Sequence, residues 1–146
     1  MTSKQRQVFL ALLALVAALL FVGAVSGTVL RHVVQIIPAI VALILVRQTP
    51  SWGAYAALPL FAFWLVIVIL IWLFLLGLSR IASGHYTVPE VVATVVIASA
   101  SVLGAISAVS VGRRLAWVPR LATIGAFGIF QIAAMWVSFL RPIANR

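Results

Sequence analysis

Long apolar stretches without charge alternate along this chain with short segments that hold nearly every base, turn residue and proline. A helix needs roughly 20 apolar residues to cross the hydrocarbon of a bilayer. Five stretches approach that length and predict helices over residues 7–25, 28–46, 54–78, 88–111 and 119–140. The first is rich in Leu and Ala and runs into Ser26-Gly27-Thr28, a turn signal. The second carries Arg31 and His32 in its first turn and Pro38 near its middle, so its strictly apolar part, residues 33–46, is short. Either Arg31 snorkels to the surface, or the segment folds back as a re-entrant hairpin with the first, which leaves four spanning helices instead of five.

The third stretch has no charge between Arg47 and Arg80, with Trp52 and Tyr55 at its start and Trp72 and Phe74 near its end. Aromatics of this kind favour the two membrane interfaces. Pro59 is expected in the first turn, where a missing N–H costs least, with residues 52–58 lying along the interface. A helix over 54–78 is about 37 Å long and would tilt in a hydrocarbon layer of about 30 Å. The fourth opens on Thr87-Val88-Pro89-Glu90, a capping signal in which Glu90 reaches back to the Thr87 amide. The fifth enters at Pro119 and stops at Arg141-Pro142. The pattern predicts an all-α, polytopic transmembrane helical bundle, one integral membrane domain over residues 1–146, without the inverted repeat of many transporters. Lys4, Arg6 and the small residues Ala24-Val25-Ser26 also suit a cleaved secretory signal. The apolar run is longer than the roughly 7–15 residues of such signals, which favours a retained helix.

Composition agrees: 66% of the residues are hydrophobic and 8% charged, against about 45–50% and about 25% in soluble domains. The net charge is +9. The bases stand singly or in pairs at the ends of apolar runs, as membrane anchors do, and form no stripe for nucleic acid. The lipid bilayer is the expected partner, and nucleic acid is not. With the N-terminus in the cytoplasm of a bacterial inner membrane, Lys4, Arg6, Arg47, Arg113, Arg114 and Arg120 fall inside, and Arg31, Arg80, Arg141 and Arg146 outside. That bias matches the excess of bases on cytoplasmic loops. The absence of cysteine excludes disulfides, thiolate nucleophiles and Cys-ligated metals.

This topology places both histidines and the only carboxylate, Glu90, on the outer side. His32, His85 and Glu90 are weak candidates for a divalent metal. Their spacing matches no ligand motif, so neither metal nor cofactor is expected. The simpler expectation is that Glu90 caps its helix and pairs with Arg31 or Arg80. Deeper lie Gln35, about 10 Å from the outer end of its helix, and Gln131, about 13 Å from the end of its own, with Thr94 at similar depth. Amides in hydrocarbon need partners, so Gln35 and Gln131 are expected to face one another or a shared cavity. They serve either as interhelical glue or as the lining of a polar cavity.

Ala100, Gly104, Ala108 and Gly112 recur at four-residue spacing on the fourth helix, a groove for a closely packed neighbour. The fifth helix is the expected neighbour; a homo-oligomer or a larger membrane complex is the alternative. Arg113, Arg114 and Arg120 either bind anionic lipid headgroups or only set topology. The chain has no phosphate loop, no His-Glu-x-x-His and no nucleophile elbow. The expectation is therefore a non-catalytic subunit or scaffold that packs against itself or a larger membrane complex. A small transporter or channel-forming protein with a polar cavity in the outer half is the alternative, and a lipid-modifying enzyme using His32 or His85 a distant third.

Overall fold

The computed structural model describes residues 1–81, 84–112 and 115–144. They form α1 (Ser3–Val25), α2 (Val29–Gln48), α3 (Pro50–Leu75), α4 (Val88–Gly112), α5 (Trp117–Ser138) and a single turn, α6 (Arg141–Ala144). The first five are long and apolar enough to cross a bilayer, and no strand occurs among the described residues.

Local chemistry sets the helix ends. Thr2 and Gln5 close a capping box at the start of α1: Gln5 N–H donates to Thr2 Oγ and Thr2 N–H to Gln5 Oε1, both at 3.2 Å. α1 ends in a Schellman turn, with Gly27 at φ 69° and Thr28 N–H bonded to Gly23 O at 2.8 Å. α3 ends the same way, with Gly77 at φ 73° and Leu78 N–H on Leu73 O at 2.8 Å.

Thr49 alone joins α2 to α3, and the two helices are so close there that a Cβ on Gly53 would fall on the Val46 backbone. Pro50, not a residue near 54, opens α3, because its missing N–H suits the first helical position. This corrects two expectations. Pro59 lies inside the helix, and Gly53 to Ala57 are helical and buried instead of lying along an interface.

α1 packs on α2 and α4, and α3 packs on α2 and α4, so four antiparallel neighbours close a ring. α5 lies outside that ring, against α2 and α3. The small-residue groove of α4 therefore has a different neighbour from the one expected: among the described residues α4 makes no contact with α5. Its Gly104 meets the ring of Phe61 and its Gly112 the ring of Tyr55, both on α3. Ala100 and Ala108 are buried on the same helix.

Lipid tails are as apolar as leucine, so close contact and hydrogen bonds hold such a bundle rather than exclusion of water. Along the ring axis Val8, Leu12, Leu15, Leu60 and Phe61 are wholly buried, and Ala39, Ala42, Ala57 and Ala108 let the backbones approach around them. The seam of α5 is different in kind. Its buried residues are Thr123, Gln131, Ala134 and Ser138, while Ile129, Ile132 and Trp136 face outward. α5 thus presents its polar side chains to the ring and its apolar ones to the surroundings.

Candidate functional site

Because α1 turns sharply at Gly27 and α2 restarts at Val29, Arg31 and His32 stand in the first turn of α2, beside the end of α1. His32 is wedged there: a Cβ on Gly23 would come within 3.0 Å of its own Cβ. Its Nδ1 lies 3.0 Å from Thr28 O and 3.2 Å from Thr28 Oγ. A carbonyl oxygen only accepts, so Nδ1 carries the proton and Nε2 is left for other partners. Arg31 lies over the ring of Phe139, at the end of α5, with 4.3 Å from Cζ to the centroid. That contact ties the end of α5 to the first turn of α2.

Across the ring, Glu90 Oε2 accepts from Thr87 N at 2.6 Å and from Thr87 Oγ at 2.7 Å. Glu90 therefore reaches back to the Thr87 amide. The Thr87 hydroxyl donates to the carboxylate instead of capping the helix. Tyr86 packs on Phe74, with centroids 6.0 Å apart. Burial pushes its phenol above the ordinary value, and the neighbouring Glu90 carboxylate adds to the shift.

These groups line one cavity of about 270 Å³ at the end of the ring that carries the α1–α2 and α3–α4 connections. Arg31, His32 and Gln35 come from α2, Trp64 and Val68 from α3, Glu90, Thr94 and Ile97 from α4, and Met135 and Phe139 from α5. Tyr86 enters from the α3–α4 connection. His85 and Arg80 are exposed and lie off the lining. The proposed metal ligands His32, His85 and Glu90 do not assemble: no three such residues cluster for a metal among the described residues.

Behind the chamber both glutamine side chains bond between α2 and α5, but not to each other. Gln35 Nε2 donates to Ser138 Oγ at 2.9 Å, and Ser138 Oγ donates to Met135 O at 2.6 Å. Gln131 Nε2 reaches Gln35 O at 3.4 Å, while its Oε1 has no partner. Gln35 and Thr94 line the chamber and Gln131 does not. Thr94 also accepts from Trp72 Nε1 at 2.9 Å, so that tryptophan N–H bonds to α4.

Trp64 and Gln5 were not singled out from the sequence. Trp64 is a tryptophan at mid-helix in an apolar span, where its N–H has no water to meet. Gln5 caps α1 and also donates to Val46 O at 2.8 Å; the Thr2-x-x-Gln5 spacing was its signal. Of the bases assigned to lipid headgroups, Arg113 and Arg114 lie outside the described residues. Arg120 is turned onto the bundle: Nη2 donates to Leu115 O at 2.9 Å and Cζ lies 4.9 Å from the Tyr55 centroid.

No family model matches the chain, and neither the curated proteins nor the solved structures contain a match to it.

Proposed function

We propose that the protein is a non-catalytic, membrane-embedded binding subunit whose closed-ended chamber receives a small solute or the head of an amphiphile. The observation that carries this reading is the plug beneath the chamber. Leu12, Leu15, Leu60 and Phe61 fill the ring axis one to two turns below Trp64 and Leu19, each at 0% exposure. A pore needs polar or wet positions to continue through the bilayer, and these four side chains interrupt them. This favours the subunit reading over the channel-forming one. The chamber's one carboxylate is engaged by Thr87 through Oε2. With the N-terminus in the cytoplasm of a bacterial inner membrane, as the placement of bases suggests, the chamber opens outward.

Cysteine labelling tests this directly, because the chain has no native cysteine. Ile97→Cys places a thiol on the chamber lining and Leu60→Cys places one in the plug. A membrane-impermeant maleimide is expected to label Ile97→Cys from the outer side only and Leu60→Cys from neither. Labelling of Ile97→Cys from both sides would establish a through path. No labelling at all would remove the chamber as a binding site.

A further inference from the structure

The unpartnered polar atoms of the chamber point to a ligand class. Arg31 and Trp64 both line it, and each keeps one N–H, Nε and Nε1, shut away from solvent without a partner. Leaving a buried donor unmatched costs about 1–3 kcal/mol, so an occupant whose acceptors reach either atom, after a small shift of the side chain that carries it, relieves that cost. The fixed charges of the lining, Arg31 and Glu90, are opposite. An added anion would leave the site with an uncompensated charge in a low-dielectric setting, which is expensive. A neutral acceptor carries no such penalty. The lining also holds the polar His32, Gln35 and Thr94, set among aliphatic and aromatic side chains such as Leu19, Ile97 and Phe139. A cavity of 270 Å³ has the room of about nine waters at roughly 30 Å³ each, enough for one substituted ring.

From these observations, and resting on the binding reading above, we infer that the chamber binds a compact neutral carbonyl compound, a ring or short chain whose oxygens accept from Arg31 and Trp64. Water alone offers acceptors too, but it leaves the aliphatic wall unfilled, and apolar pockets gain by filling with apolar matter.

Three isosteric probes separate the alternatives: acetophenone is neutral with an acceptor, benzoate is anionic, and cumene has no acceptor. Protein labelled with ¹⁵N at its tryptophans, in mild detergent, gives indole signals of which the Trp64 signal is assigned by its loss in Trp64→Phe. Acetophenone is expected to shift the Trp64 signal downfield and saturably, with apparent affinity weakened at least several-fold in Arg31→Met. Cumene and benzoate are expected to produce no saturable shift. An equal response to cumene would mean a merely apolar cavity, and a stronger response to benzoate would mean an anion site; either overturns the neutral-carbonyl assignment. If Ile97→Cys is labelled yet no probe moves the signal, the chamber stands and holds water alone, and the ligand class falls. If Ile97→Cys is not labelled, the binding reading itself fails.

Discussion

Gln131 donates its side-chain amide to the backbone oxygen of Gln35 across 3.4 Å, from a position with no solvent exposure. The bond is long and the other half of the same amide has no partner. The shorter link between these helices is the neighbouring one, from Gln35 Nε2 to Ser138 Oγ.

The two links should therefore respond differently to removal. Ser138→Ala strands the Gln35 N–H and is expected to cost about 1 kcal/mol, since interhelical bonds in membranes average about 0.6 and unmet donors add to that. Gln131→Leu removes a half-satisfied polar group while the Gln35 carbonyl keeps its place in α2, and is expected to be neutral or slightly stabilising. Reversible unfolding in bicelles measures both. A larger loss for Gln131→Leu than for Ser138→Ala would contradict this account.

Glycines on α4 and α5 make a second contrast. A methyl group at Gly104 would overlap the Phe61 ring, whereas one at Gly125 meets nothing within 4 Å. Gly104→Ala is expected to destabilise by about 1–3 kcal/mol through overpacking. Gly125→Ala should be tolerated, and the helix gains up to about 1 kcal/mol of propensity. The same unfolding measurement ranks the pair.

Tyr86 gives a pH dependence. Its folded phenol titrates above its ordinary value because burial, then the Glu90 carboxylate, disfavour the anion. The folded state therefore holds its proton to higher pH than the unfolded state does. Its contribution to stability is complete below about pH 10 and is lost as pH rises through the folded value. In Tyr55→Phe, which leaves Tyr86 as the only tyrosine, phenolate absorbance should appear later than for free tyrosine, and Glu90→Gln should move it back toward the free value. An unshifted curve in the parent would refute this.

At the opposite end, the Gln5 side chain serves two helices at once: its Oε1 accepts from Thr2 N at the start of α1, and its Nε2 donates to Val46 O on α2. Gln5→Leu is expected to cost about 1–2 kcal/mol, and Thr2→Ala, which removes only the cap, about half as much. Thermal aggregation midpoints in detergent would show the order, and a larger loss for Thr2→Ala than for Gln5→Leu would contradict this account.

Much of the architecture was legible in the apolar pattern, because the need to satisfy every backbone group in lipid leaves helices as the available element. The ends were less legible. Pro50 and Pro59 both fit a helix start, and only the tight Thr49 connection decides between them. The cost of an amide in hydrocarbon pointed both Gln35 and Gln131 inward; that Gln131 bonds to the Gln35 backbone, and Gln35 itself to Ser138, was not legible. The neighbour of the α4 groove did not, since small residues advertise a close approach without naming the helix that makes it; Phe61 and Tyr55 fill it from α3. Trp64 escaped notice because tryptophans in apolar spans read as interface anchors, and depth along α3 alone separates it from Trp72.

The outlying place of α5 bears on how the molecule is assembled. Four helices can close on one another before the fifth is synthesised, and the fifth then joins through hydrogen bonds to a scaffold already standing. Met135 and Phe139, which it brings to the chamber wall, arrive with it. The chamber wall is therefore complete only once α5 is in place.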